Sequence, residues 1–336
     1  MAPRPTYTTP IEQCDVQDKA ALATYRDKRA EWLDWLNGDD DHSISHQLLG
    51  MSWSYITFRV ISEAARLAHR RELRSPIRNS VLFEHLTDGF VATQALAIRR
   101  LLDKRRDVVS LRRLVDDVGS NRSLFVREFF VAYDGAPSDF TPQRDAFHEQ
   151  LMRDTIKNGP TARWAPNPSS GPDAWAFSER AHEAFDRLTN AGPSRRQRTD
   201  SVPDLIFDRL ACFLDADVFE KIRRLANKRI AHAADEKSRG AGGRDVDGVS
   251  FREIDEAHRH LIMVGNFVSS FLLYQTNLAP VATPSFDVFE HIDAAGFDDE
   301  AIAHLHRLAS ALASRRDQWA RGATAAVLGA AAADPA

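Results

Sequence analysis

An all-α fold is the class that this 336-residue sequence predicts. Apolar residues recur at helical spacing along most of the chain, and no convincing run of alternating β-branched residues interrupts them. Hydrophobic residues make up 43% of the chain, which is enough to form a buried core and excludes a wholly disordered protein. The length corresponds to one large domain or two small ones.

Four helices are predicted in the first third of the chain. The first covers residues 18–36, and the second begins within residues 39–43 and continues to about residue 72. After Pro76, a third helix is predicted from Ser80 to about residue 104. Ser110 then caps a short fourth helix.

The middle of the chain elaborates this helical pattern. Segments rich in Pro, Gly, Ser and Asn separate two short amphipathic helices, at about residues 143–156 and 173–189. We interpret residues 120–200 as an insertion in a helical domain of residues 1–280. A C-terminal helical pair at residues 281–320 and a disordered tail at residues 321–336 are expected to follow.

Three helices are predicted after Pro203, over about residues 203–213, 218–235 and 251–277. The last two each begin with a residue pair typical of a capping box, in which two side chains satisfy the first backbone N–H groups. These pairs are Asp217 with Glu220 and Ser250 with Glu253.

Charge and cysteine content narrow the class of protein. The formal net charge of −4 excludes a polycation. Of 44 basic residues only 7 are lysine, which leaves 37 arginines. Compositional bias explains this excess, but the planar guanidinium also suits phosphate recognition. Two cysteines, Cys14 and Cys212, cannot form a disulfide framework or a structural zinc site and indicate a reducing compartment.

The chain is expected to be cytoplasmic and to make no membrane contact. Its N-terminus lacks the apolar region of a signal peptide, and the most apolar run, residues 261–274, is too short and polar to span a bilayer. We expect no cofactor and no metal. His42 and His46 share a helix face beside acidic residues, but the spacing supplies no third ligand.

Residues 217–235 carry the most informative pattern. On a helical wheel, an apolar stripe lies opposite a basic face that ends in an imidazole. The stripe consists of Phe219, Ile222, Ala226, Ile230 and Ala233, and the opposite face presents Arg224, Lys228 and His232. No acidic residue occurs from Lys221 to Ala233. A solvated basic face explains this pattern as well as a functional one does.

Residues 227–232, with the sequence Asn-Lys-Arg-Ile-Ala-His, resemble a known family signature. They match the C-terminal part of the R-N-K-x-x-A-H motif of the HEPN superfamily (higher eukaryotes and prokaryotes nucleotide-binding), most closely its abortive-infection type. The helix–loop–short-helix segment at residues 100–114 also resembles that family. The resemblance covers residues 43–277 and implies a bundle of four to five helices that forms a homodimer or heterodimer, of which we expect the homodimer. It further implies a metal-independent endoribonuclease of a defence or toxin–antitoxin system.

The family motif assigns a role to each matching residue. His232 takes the acid/base role and Asn227 the polar positioning role, but Ala226 occupies the position of the motif arginine. Three explanations remain open. The phosphate charge is stabilised by Arg229, Lys228 or Arg224, or it is stabilised by a partner subunit. Otherwise the site is degenerate and the protein binds without cleaving.

A second basic run extends the expected RNA-phosphate contacts to Arg99, Arg100 and Arg105. No aromatic residue lies close to this run in sequence to stack bases. The leading prediction is an RNA-cleaving homodimer with a cognate antitoxin or defence protein as a further partner. A catalytically silent HEPN-like module that binds nucleotide, RNA or protein is the alternative, and a structural helical scaffold is a third interpretation.

Overall fold

The computed structural model describes residues 7–38, 42–70, 72, 79–159, 169–226, 249–275 and 307. These residues form helices, and their only β-type pairing is an isolated bridge between Val126 and Ser201. The predicted all-α class is therefore confirmed. No helix among the described residues is both long and apolar enough to cross a membrane.

The helix bounds follow the sequence pattern closely. The α-helices are α1 (Lys19–Asn37), α2 (Ile44–Arg70), α3 (Ser80–Leu101), α4 (Leu111–Ser120), α5 (Arg127–Ala132), α6 (Thr141–Asn158), α7 (Ala174–Thr189), α8 (Asp204–Leu214), α9 (Asp217–Leu225) and α10 (Phe251–Phe267). The pattern does not predict α5. The long helix predicted to reach residue 277 instead changes to a π-helical turn, Val268–Leu272, after α10.

Contacts divide the chain into two compact units. The first consists of Met1–Val60 and His85–Thr283, and the second of Ile61–Glu84 and Pro284–Ala336. The first unit contains nearly all described residues and both surfaces discussed below. Apart from Arg307, the segments predicted as a C-terminal helical pair and a tail lie outside the described residues.

Local side-chain caps hold the starts of several helices. Asp18 accepts a hydrogen bond from the Ala21 N–H at the start of α1, and Ser110 accepts one from the Arg113 N–H at the start of α4. Both halves of the predicted Ser250 capping box are present at the start of α10.

The capping box predicted at Asp217 is wrong. The N-cap of α9 is Ala216, which places Asp217 inside the first helical turn rather than before it. The Glu220 carboxylate instead accepts hydrogen bonds from Arg223. Both acidic residues lie in the first turn of α9, where their negative charge interacts favourably with the positive end of the helix dipole.

One large hydrophobic core joins most of the described helices. Leu22, Tyr25 and Trp32 of α1 are fully buried in it. Phe130 of α5 and Phe185 of α7 belong to the same core, so these two helices of the middle segment pack against the rest of the unit. By contrast, α6 contributes no buried residue.

Candidate nucleic-acid interface

The helix α9 leads directly into the segment that resembles the family motif. Its Phe219 and Ile222 are buried and Ala226, just after the helix, is 0% exposed, which confirms the predicted apolar stripe as far as it is described. A side chain at position 226 therefore points into the core. The other motif residues, Asn227, Lys228, Arg229 and His232, lie outside the described residues, and their roles remain predictions.

A groove of about 690 Å³ lies between the end of α3, the loop that follows it, and the junction of α8 with α9. We call it the α3–α9 groove. Its described lining includes the basic residues Arg99, Lys104, Arg105, Arg112 and Arg223. The acidic residues of the lining are Asp103, Asp215 and Glu220. The fold thus places the basic run that follows α3 beside the helix that leads into the motif.

The cations of this groove differ in how far they are neutralised. Arg105 forms an ion pair with Asp103 at 3.1 Å, and Arg223 forms one with Glu220 at 2.7 Å. Arg99 and Lys104 have no carboxylate partner among the residues that the structure describes. These two side chains are therefore the groove cations most available to a phosphate.

Arg112 has a structural role. Its guanidinium is mostly buried and contacts Asp116 at 2.9 Å and Asp215 at 2.5 Å, which ties α4 to the end of α8. Burial disfavours the charged form, but hydrogen bonds to Asp215 and Asp116 raise the pKa of Arg112 above its ordinary value. This arginine holds the wall of the groove in place.

Arginines elsewhere in the arginine-rich segments are also used within the fold. The Arg113 guanidinium lies 4.1 Å from the centroid of the Trp35 ring. In the linker before α8, Arg196 pairs with Asp186 at 2.7 Å and Arg198 pairs with Asp15 at 2.6 Å. Because their partners are distant in sequence, the basic runs predict a larger free cationic surface than the structure presents.

The predicted phosphate contacts fall in different places. Arg99 and Arg105 line the groove, whereas Arg100 and Arg224 are not among its lining residues. The Arg224 side chain is 63% exposed and lies 4.0 Å from the Glu220 carboxylate. Arg223, which is not among the predicted phosphate contacts, lines the groove instead. Adjacent residues on a helix point about 100° apart, so Arg224 lies on a different side of α9 from Arg223.

An exposed aromatic surface lies at the start of α10, where no spacing in the sequence indicates one. Phe251 is 39% exposed, and its ring centroid lies 5.9 Å from that of Phe58. The Arg59 guanidinium lies 5.1 Å from the same ring. These side chains come from α2 and α10 and are far apart in sequence. An exposed ring beside an arginine is a surface on which a nucleobase can stack.

An ion pair connects this aromatic surface with the helix that lines the groove. Lys221 of α9 contacts Glu253 in the first turn of α10 at 2.7 Å. Hydrogen bonds from Lys221 and from Ser250 lower the pKa of the Glu253 carboxyl to about 2, so this carboxylate stays ionised at neutral pH. The ion pair holds the first turn of α10 against α9.

A second polar cavity, of about 540 Å³, is lined by residues from α5, α6, α7 and the linker after α7. Each arginine of its described lining forms an ion pair with a carboxylate. These pairs are Arg127 with Asp186, Arg144 with Glu179, Arg196 with Asp186 and Arg198 with Asp15. The cavity is therefore less suited to an anion than the α3–α9 groove.

Within the described residues, no group of three His, Cys, Asp or Glu side chains has the arrangement of a metal site.

Comparison of the chain with protein-family models, with curated proteins and with solved structures finds no match. The family resemblance therefore rests on the residues at positions 43–277 quoted above, chiefly on the six at positions 227–232.

Proposed function

We propose that this chain is a HEPN-like, RNA-directed protein that acts as a metal-independent endoribonuclease of a defence or toxin–antitoxin system. The observation that carries the proposal is the α3–α9 groove, in which Arg99 and Lys104 lie beside the helix that leads into residues 227–232. The exposed Phe251 ring adds a surface for a base. A cationic groove near an exposed aromatic is the combination that single-stranded nucleic acid requires.

The proposed reaction is an attack of a ribose 2′-oxygen on the neighbouring phosphorus. One His232 accepts the proton of the 2′-hydroxyl, and His232 of the partner subunit donates a proton to the departing 5′-oxygen. Asn227 positions the reacting groups. Arg229, Lys228 and Arg224 stabilise the charge that develops on the phosphate, a contribution of about 10²–10³ in rate per donor by analogy with oxyanion sites.

A catalytically silent module that binds nucleotide, RNA or a protein partner is the second candidate. The burial of Ala226 favours it, because the position of the motif arginine contributes no cation to the surface. Under this alternative, the groove retains its affinity for phosphates but no bond is broken.

An RNA cleavage and binding assay in EDTA distinguishes these candidates. The wild-type chain should cut single-stranded RNA, and His232→Ala should bind that RNA with unchanged affinity but not cut it. Arg99→Gln should weaken binding several-fold, whereas the matched control Arg153→Gln, at an exposed position on α6, should not. Binding without cleavage by the wild-type chain would support the silent module. Absence of RNA binding would contradict the endoribonuclease and would also contradict a silent module that binds RNA.

A further inference from the structure

An apolar pocket of about 320 Å³ opens between α7, α8 and α10, and its lining shares no residue with the α3–α9 groove. Its lining includes the buried side chains of Leu210 and Val264. The Phe267 and Phe271 rings, which also line it, stack with centroids 5.2 Å apart. The pocket is thus formed by three helices that the main core already holds together.

The pocket leaves large apolar side chains open to solvent. Phe213 is 38% exposed and Met263 is 41% exposed, and both line it. Exposure of such side chains has an unfavourable hydration free energy, which an apolar ligand would remove. A concave cluster of this kind differs from apolar residues scattered singly over a surface.

Two arginines in the lining make the mouth of the pocket positively charged. Arg187 of α7 and Arg209 of α8 are exposed, and its described lining contains no acidic residue. Neither guanidinium forms an ion pair or a side-chain hydrogen bond with another described residue. By contrast, the arginines of the polar cavity beside α7 all have carboxylate partners. The two free guanidinium groups favour an anion at this position.

We propose that this pocket binds a small amphiphilic carboxylate, with its aliphatic chain against the apolar wall and its carboxylate beside Arg187 and Arg209. The pocket volume lies at the lower end of the range of about 300–1,000 Å³ found for small-molecule sites, which suits a single aliphatic chain. Among the described residues, its lining contains no polar side chains besides the arginines to recognise a nucleobase. The proposal is independent of the RNA-directed function.

Calorimetric titration of the full chain with decanoate, below its micellar concentration, tests the proposal. One decanoate should bind per chain, and decyltrimethylammonium, which has the same chain and the opposite charge, should bind at least tenfold more weakly. Affinity should rise about fourfold per methylene group from hexanoate to decanoate, the factor that corresponds to burial of one CH₂. Equal affinity for the two decyl compounds would overturn the proposal, because it would show adsorption without charge recognition.

Three variants locate the binding. The double variant Arg187→Gln/Arg209→Gln should weaken decanoate binding about tenfold, since two exposed charge pairs contribute roughly this much. Met263→Trp should weaken it by filling the pocket from an exposed position, and Arg153→Gln should leave it unchanged. Circular dichroism and thermal unfolding verify that each variant folds. Unchanged binding in both the double variant and Met263→Trp would place the ligand elsewhere and overturn the proposal, as would absence of binding in the wild-type chain.

Discussion

Gly135 occupies a turn in which a side chain would be poorly tolerated. Its φ angle is +97°, and a Cβ atom built on it would lie 2.8 Å from Cβ of Thr9. The neighbouring Asp134 carboxylate accepts hydrogen bonds from the backbone N–H groups of Thr8 at 2.7 Å and Thr9 at 3.0 Å. This turn therefore fixes the N-terminal segment against the loop that follows α5.

We predict that Gly135→Ala lowers the free energy of unfolding by about 2–4 kcal/mol, because it combines a strained backbone with a steric overlap. Gly119→Ala is the matched control. Gly119 lies in α4, and no atom of a neighbouring helix lies within 4 Å of the position that a methyl group would take there, so alanine should be neutral or stabilise by up to about 1 kcal/mol. Urea unfolding of both variants measures the difference, and equal stabilities would contradict the prediction.

Sequence patterns could not indicate the role of this turn. A glycine after Asp134 is typical of any loop, and the atoms that exclude a side chain belong to Thr9, far away in the chain. The caps were different, because Ser250 and Glu253 contact each other within one helical turn. The same spacing failed at Asp217 and Glu220, so closeness in sequence makes such a contact predictable without guaranteeing it.

At the scale of the elements, α5 shows why one helix was not predicted. All six residues of Arg127–Ala132 are buried, including the charged Arg127 and Glu128, so burial here does not follow an apolar–polar helical period. Conversely, apolar residues of α3 at helical spacing are not all buried, since Leu82 is 44% exposed and Leu96 is 42% exposed. Tertiary packing, which the pattern does not contain, decides both cases.

Arg112 and Arg99 both line the groove, but only Arg112 forms ion pairs with described residues, so their replacement should have different effects. Arg112→Gln should lower the free energy of unfolding by about 2 kcal/mol, because it leaves Asp116 and Asp215 without the cation that joins α4 to α8. Arg99→Gln should change stability by less than about 0.5 kcal/mol, since Arg99 has no ion pair among the described residues.

Urea unfolding and the salt dependence of RNA binding measure the two effects separately. If Arg99 contacts a phosphate, its replacement should reduce the slope of log K against log salt concentration by about 1. Loss of stability in Arg99→Gln, or an unchanged slope, would show that this residue does not serve as the free cation of the groove.

At the scale of the whole molecule, only part of the candidate interface could be predicted. The basic runs and the apolar stripe of α9 are local patterns, and the structure confirms the stripe through the burial of Ile222 and Ala226. The groove depends on how α3, α8 and α9 pack, and the aromatic surface on how Phe251 meets Phe58. Such contacts between distant segments leave no period or spacing in one sequence.

Two buried histidines of the first unit make its stability depend on pH. Desolvation lowers the pKa of His182 on α7 to about 4, although its Nε2 lies 2.9 Å from the Ser138 carbonyl oxygen. Desolvation likewise lowers the pKa of His258 on α10 to about 4, although the nearby Asp255 raises it. The His258 Nε2–H donates to Oε1 of Gln94 at 2.7 Å. Both imidazoles are therefore neutral in the folded chain at neutral pH.

Acidification should destabilise the fold as the pH falls from about 6.5 towards 4. The unfolded chain binds protons at these histidines near pH 6.5, whereas the folded chain binds them only near pH 4. As the pH falls, the unfolded chain therefore takes up protons before the folded chain does, which lowers the free energy of unfolding. Each histidine should add up to about 1.4 kcal/mol per pH unit to the slope of stability against pH. Glu253, with a pKa of about 2 in the folded chain, adds a smaller loss below its unfolded pKa of about 4.5, because solvent screens its ion pair with Lys221.

The variant His258→Gln isolates one of these contributions, because its amide can still donate a hydrogen bond towards Gln94 but cannot take up a proton. Its stability should vary less steeply with pH than that of the wild-type chain, by up to about 1.4 kcal/mol per pH unit. Urea unfolding between about pH 5 and pH 7 measures the slope in a window where carboxyl groups with ordinary pKa values stay ionised. Parallel stability curves for the two proteins would show that the imidazole of His258 takes up protons equally in the folded and unfolded chains, in contradiction to its burial against Gln94.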